Sequence, residues 1–216
     1  MKIPSFLIKL KTRFQRFFSK KPYVIVAMGD SAVEGWGATS PKRAFAPLVY
    51  SSIKLKKQNV NFYNLGKAQA RVEDVLNTQL NQAIKLQPDL ILLSIGANDI
   101  LWPLKAWQFD KNYGLLLKSL SQKTDALIVV NNIPDFSIAP IIPKLVLPLT
   151  NILAKRFNKI IQKYTDETGG VLVDLYAQSS LIKDKKGFIS DDGLHPSDKG
   201  YALWKDSIID KISPLI

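Results

Sequence analysis

The chain predicts an α/β fold, a three-layer α/β/α sandwich built on a five-stranded, mostly parallel sheet. Short uninterrupted apolar runs alternate with longer segments of helical periodicity, and strands apolar on both faces belong in a sheet covered by helices on both sides. Strand and helix alternate along the chain, as parallel connections require. The first three runs stop at glycine-containing or polar clusters, Gly29-Asp30-Ser31, Asn64-Leu65-Gly66 and Gly96-Ala97-Asn98. In open sheets of this kind ligands sit beyond the carboxyl ends of the strands, so these clusters are expected to converge.

Taken in order, residues 23–28 form a β-rich run that ends at Gly29, and residues 45–57 carry a helical pattern. Residues 60–64 are a second strand and 72–86 a second helix, punctuated by Pro88. Residues 90–95 are apolar apart from Ser94 and predict a buried strand. A helix over 110–122, a fourth strand over 126–131, a helix over 149–168 and a strand over 171–175 follow. The last helix spans 198–212, with Ser197 placed to cap its amino end through its hydroxyl. At 216 residues the chain is long enough for one large domain with a sizeable core, and residues 22–216 are assigned to it.

Residues 1–21 stand apart. The net charge is +12, and seven of the excess cations fall in this stretch with no acid, leaving five for the rest. On a helical wheel Ile3, Phe6, Leu7, Leu10, Phe14, Phe17 and Phe18 share one face, while Lys2, Lys9, Arg13, Arg16 and Lys20 gather on another. That is the pattern of a helix lying in a lipid headgroup layer, so residues 2–20 are expected to contact a membrane surface. Lys9 interrupts the apolar run too early for a cleavable signal peptide. No later run is apolar enough over a sufficient length to span a bilayer. The basic excess is terminal and no nucleic-acid module motif is present, so no nucleic-acid partner is expected.

The chain has one histidine, His195, and no cysteine. Thiolate chemistry and disulfides are therefore excluded, a zinc site would need carboxylates for nearly every ligand, and no cofactor or metal is expected. Imidazole titrates near neutral pH, so His195 is the one candidate for moving a proton in that range. A serine hydroxyl is a poor nucleophile unless a base takes its proton, and Ser31 follows the first strand in Met28-Gly29-Asp30-Ser31. Asp192, three residues before the histidine, can hold the ring across one turn; Asp191 competes with it, and spacing favours Asp192. Attack on an ester carbonyl builds charge on oxygen, which donors must meet. Gly66 can bring its N–H close to a substrate, Asn98 can offer its side-chain amide, and Ser31 its own N–H.

Four blocks in order, Gly29-Asp30-Ser31, Gly66, Gly96-Ala97-Asn98-Asp99 and Asp192-Gly193-Leu194-His195, resemble those of the SGNH hydrolase superfamily, also called GDSL esterases and lipases. The likeness extends over residues 23–213 and includes Gly35, Gly37 and His195-Pro196 leading into Gly200-Tyr201. It implies a flavodoxin-like sandwich, Ser31 as nucleophile, His195 as base and Asp192 as its partner. Gly66 and Asn98 would then complete, with Ser31, an oxyanion hole. Ala32 stands where the name-giving motif has leucine, at a position that in the family contacts no reacting atom.

Rival motifs are absent. Val33 occupies the last glycine position of an α/β-hydrolase elbow, and Trp36 stands where a phosphate loop would need lysine. The apolar, proline-rich stretch 133–149, with Trp102, Trp107 and Phe109, is expected to pack on the core or to wall an acyl pocket. An apolar wall beside a membrane-binding segment points to lipid-like esters such as lysophospholipids. The alternatives are a carbohydrate O-acyl esterase or acyltransferase using the same residues, and a membrane-surface binding protein without catalysis.

Overall fold

The computed structural model describes residues 21–101, 106–182 and 187–216. The predicted amphipathic segment 2–20 and Trp102 lie outside the described residues. Five strands form one sheet: β1 (Tyr23–Gly29), β2 (Val60–Asn64), β3 (Leu90–Ser94), β4 (Leu127–Asn131) and β5 (Val171–Val173). Their order is β2-β1-β3-β4-β5 and every pairing is parallel. All residues of β3 and β4 are buried. Both are apolar except at their last residues, Ser94 and Asn131, because helices cover both faces. The edge strand β2 instead leaves Asn61, Tyr63 and Asn64 exposed.

Two helical layers complete the sandwich. One holds α1 (Ser31–Glu34), α2 (Phe45–Lys54) and α8 (Asp198–Ile212), packed through Phe45, Val49, Tyr201 and Trp204 against β1, β3 and β4. The other holds α3 (Val72–Asp74), α4 (Leu80–Lys85), α5 (Ala106–Lys123) and α6 (Leu147–Thr168), with Phe109, Leu116, Phe157 and Ile161 on the opposite sheet face. A short α7 (Leu175–Ser180) follows β5.

The differences from the sequence reading have local causes. The 45–57 helix stops at Lys54, because its buried stripe ends at Ile53 and Leu55 is 90% exposed. The fifth strand ends at Val173, and Asp174 caps α7 by accepting the Ala177 N–H. Helix α6 begins before Pro148, which fits its first turn because that turn needs no N–H there. The 72–86 helix is broken by a π-helical stretch, Val75–Gln79. Ser197 caps α8 as expected, accepting the Gly200 N–H.

The strand order places β2 to one side of β1 and β3 to the other, so the crossovers diverge between β1 and β3. That divergence opens a crevice at the strands' carboxyl ends. Ser31 follows β1 and Asn98 follows β3 on either side of it.

Candidate active site

Ser31 begins α1 directly after β1, and the turn between them is held tightly. Gly29 has φ +145, and a Cβ there would lie 1.8 Å from the Ser94 carbonyl oxygen, so only glycine lets β1 turn so close to β3. Gln79 clamps the same residue twice: its Oε1 accepts the Gly29 N–H and its Nε2 donates to the Gly29 carbonyl, both at 2.9 Å. Asp30 caps α1 by accepting the Ala32 N–H.

The turn bearing His195 is folded on itself. Ser190 N–H donates to the His195 carbonyl, Gly193 N–H donates to Ser190, and Ile189 bridges Pro196. Asp192 Oδ1 accepts the N–H groups of Leu194 and His195 at 2.8 and 2.9 Å. Its Oδ2 lies 2.7 Å from His195 Nδ1, and His195 Nε2 lies 2.9 Å from Ser31 Oγ. The structure thus brings the three candidates into one chain of contacts. Asp192 rather than Asp191 meets the ring. Gly37 lets the two turns approach: its φ is +84, and a Cβ would lie 2.7 Å from His195 Cβ and 2.6 Å from the Pro196 carbonyl oxygen. Asp198 ties the same region together by accepting the Thr39 N–H and hydroxyl.

Electrostatics favour one protonation pattern. Partial burial works against ionisation of Asp192, but the Leu194 and His195 amides and the His195 ring outweigh it, bringing the carboxyl down to about 2. An ionised carboxylate only accepts, so Nδ1 carries the ring proton and Nε2 offers its lone pair to the Ser31 hydroxyl. Asp30 goes the other way: burial pushes it up to about 7 against the pull of its backbone bonds. Burial likewise raises Asp99 to about 7, although it accepts the Val72 N–H.

Gly66 is engaged otherwise than the sequence reading expects. Gly66 does not present its N–H to the crevice. That N–H donates to Asn64 Oδ1 at 2.9 Å, and a Cβ at Gly66 would strike the Val33 and Glu34 backbone, so this glycine serves packing against α1. Along the same segment Lys67 N–H donates to Gly29, Ala68 N–H to Glu34, and Ala70 N–H to Lys67. Gln69 N–H has no acceptor among the described residues, and Gln69 holds φ +64, a left-handed conformation unusual for a side chain of its type. Asn98 Nδ2 donates to the Ala70 carbonyl at 3.0 Å, which fixes its amide beside this segment and leaves one amide proton for another acceptor. No sequence signal marks Gln69, because what sets it apart is its backbone conformation.

A cavity of about 180 Å³ opens at Ser31, Asn98 and His195. Its apolar lining includes Ile95, Ile133, Phe136, Ile138, Ile142 and Leu194. Of the aromatic residues expected near it, Phe109 is buried against Phe157 and Tyr113 instead, and Trp107 is 65% exposed.

A serine hydroxyl bonded to a carboxylate-oriented imidazole, beside amide donors at the crevice of a doubly wound sheet, defines the serine ester hydrolases of α/β/α fold. A profile of the GDSL-like lipase/acylhydrolase family matches residues 27–203, and the chain belongs to that family. Solved structures share the fold at low identity. A lipase/acylhydrolase from Enterococcus faecalis is 22% identical with a TM-score of 0.70, covering 89% of this chain and 96% of its own. The structure of TesA is 15% identical with a TM-score of 0.73 (89% and 99% covered). A single-residue variant of Axe2, an acetyl xylan esterase from Geobacillus stearothermophilus, is 16% identical with a TM-score of 0.71 (88% and 94%). A search of curated protein sequences finds no match.

Proposed function

We propose that this hydrolase cleaves carboxylic esters of apolar acyl chains, with Ser31, His195 and Asp192 as its catalytic triad. As Ser31 Oγ attacks the ester carbonyl, His195 Nε2 takes the hydroxyl proton and the resulting imidazolium is stabilised by Asp192. The oxyanion is met by the N–H groups of Ser31 and Gln69 and by the Asn98 amide. His195 then gives its proton to the departing alkoxide, leaving an acyl ester on Ser31. Water attacks that ester with His195 as base, releasing the acid and restoring the serine.

The observation that carries the reading is the 2.9 Å contact between Ser31 and His195 at the mouth of an apolar-walled cavity. A sugar acetate would present a small acyl group and a polar body, which such walls do not match; an alkyl chain does. Burial of a methylene contributes about 0.8 kcal/mol, so kcat/KM rises roughly threefold to fourfold per added carbon until the cavity is full. A series of p-nitrophenyl esters from acetate upward tests this. A preference for acetate that falls steadily with chain length would overturn the acyl-pocket reading. Labelling by a fluorophosphonate that survives Ser31→Ala would overturn the nucleophile.

A further inference from the structure

Beside the cavity mouth runs a stretch with two unlike sides. Ile141 N–H donates to the Gly193 carbonyl at 3.1 Å, fastening the stretch to the turn that holds Asp192 and His195. On the inner side Ile138 and Ile142 line the cavity. On the outer side Ile141, Leu145, Leu149 and Ile152 stand in solvent, 56, 91, 57 and 63% exposed. Of the large apolar side chains exposed among the described residues, five, these and Val146, fall within residues 141–152. Such clustering is unlike the scattered apolar residues of an ordinary surface.

Charge distinguishes the possible occupants. From residue 136 to residue 165 the sequence contains no acid, while Lys144, Lys155, Arg156 and Lys159 are all exposed. The adjoining turn carries Asp191 and Asp192, the latter engaged by His195, so the face stays net positive. A second copy docked face to face would set cations against cations. Residues 1–21 of the same chain, with seven cations and no acid, would do the same. An anionic lipid surface is complementary to both features: its acyl boundary takes leucine and isoleucine, and its phosphates take lysine and arginine.

We infer that residues 141–159 seat the enzyme on an anionic bilayer, with Leu145, Leu149 and Ile152 entering the acyl boundary and Lys155, Arg156 and Lys159 against the headgroups. The cavity mouth then faces lipid, and an ester with an apolar acyl chain reaches Ser31 without crossing water. Only this last step rests on the esterase reading; the seating does not.

The chain has no cysteine, so Leu149→Cys in the full-length protein takes a single environment-sensitive fluorophore. Vesicles of phosphatidylcholine mixed with phosphatidylglycerol are expected to shift its emission to the blue. Phosphatidylcholine alone should not, nor should either vesicle shift a probe at Ser51→Cys on α2 in the other helical layer. An unmoved Leu149 probe overturns the inference, whether or not the protein sediments with vesicles through residues 1–21. An equal response to both vesicle types overturns the anionic assignment. In activity, a Leu145→Asp, Leu149→Asp, Ile152→Asp variant should lose roughly tenfold or more on a vesicle-borne ester, and keep its rate on a short soluble one. If the unmodified protein hydrolyses neither ester, the esterase reading fails while the probe result still judges the seating.

Discussion

One oxygen of Asp192 accepts the Leu194 and His195 amides while the other accepts the His195 ring, so the residue both shapes its own turn and holds the imidazole. Asp192→Asn can still cap the turn, but its amide can present N–H to Nδ1 and favour the wrong tautomer. A fall in kcat of about 10³-fold or more is expected with little change in the unfolding midpoint. Asp192→Ala should lose the turn as well, and its unfolding midpoint should drop. Unchanged turnover in the asparagine variant would remove Asp192 from the triad. Asn98→Ala should cost about 10²-fold in kcat at nearly constant KM, the mark of a donor used chiefly in the transition state. In the proposed oxyanion hole Gln69 would act through its backbone N–H, so its side chain would matter only for φ +64. Gln69→Gly should retain both activity and stability. Gln69→Val, whose branched side chain resists the left-handed region, should lower both, by about 1 kcal/mol or more in stability. Equal behaviour of the two variants would contradict this role.

The π-helical stretch Val75–Gln79 is what turns Gln79 toward β1, where it is 3% exposed and bonded to both polar groups of Gly29. Gln79→Ala would leave a buried N–H without that acceptor and loosen the turn that presents Ser31. Stability should fall by about 2 kcal/mol in urea denaturation, and kcat should fall more than KM rises. A variant with unchanged kcat would show that α1 holds the serine without the clamp. This device is not legible in the sequence, because the buried positions Val72, Val75, Gln79 and Ala83 keep the three- and four-residue spacing of an ordinary helix. The strands and most helices are legible, since β3 and β4 are apolar at nearly every buried position and the helices carry single buried stripes. The pairing of Ser31 with His195 follows from there being one histidine and from strand ends converging. Gly66 reads as a donor in the sequence, yet its glycine identity answers a close approach to Val33 and Glu34, a constraint of packing that sequence cannot tell from catalysis. Phe109 lies near the pocket in chain order, whereas its place on α5 turns it into the core against Phe157.

At the scale of the whole molecule, the buried carboxyls near the crevice set how stability responds to pH. Asp30 and Asp99 are both raised by burial from 3.8 to about 7, and the charge of Asp30 adds to the difficulty of ionising Asp99. Between about pH 4 and 7 the folded protein therefore holds protons that the unfolded chain has released. Unfolding releases them, so stability falls as pH rises through that window and levels off above it. Asp192 has the opposite sign: lowered from 3.8 to about 2, it contributes above pH 4 and its contribution is lost as pH falls toward 2. Together these groups place maximal stability on the acidic side of neutrality. Asp30→Asn keeps an oxygen to cap Ala32 and removes one titration. Urea denaturation from pH 5 to pH 8 should show the unmodified protein losing roughly 2–4 kcal/mol more than the variant. The relief of repulsion should also let Asp99 ionise more readily, so the variant's remaining decline is expected to shift to lower pH. Parallel pH profiles for the two proteins would mean that Asp30 is already ionised in the folded state, and that its negative charge stands beside Ser31 throughout the neutral range.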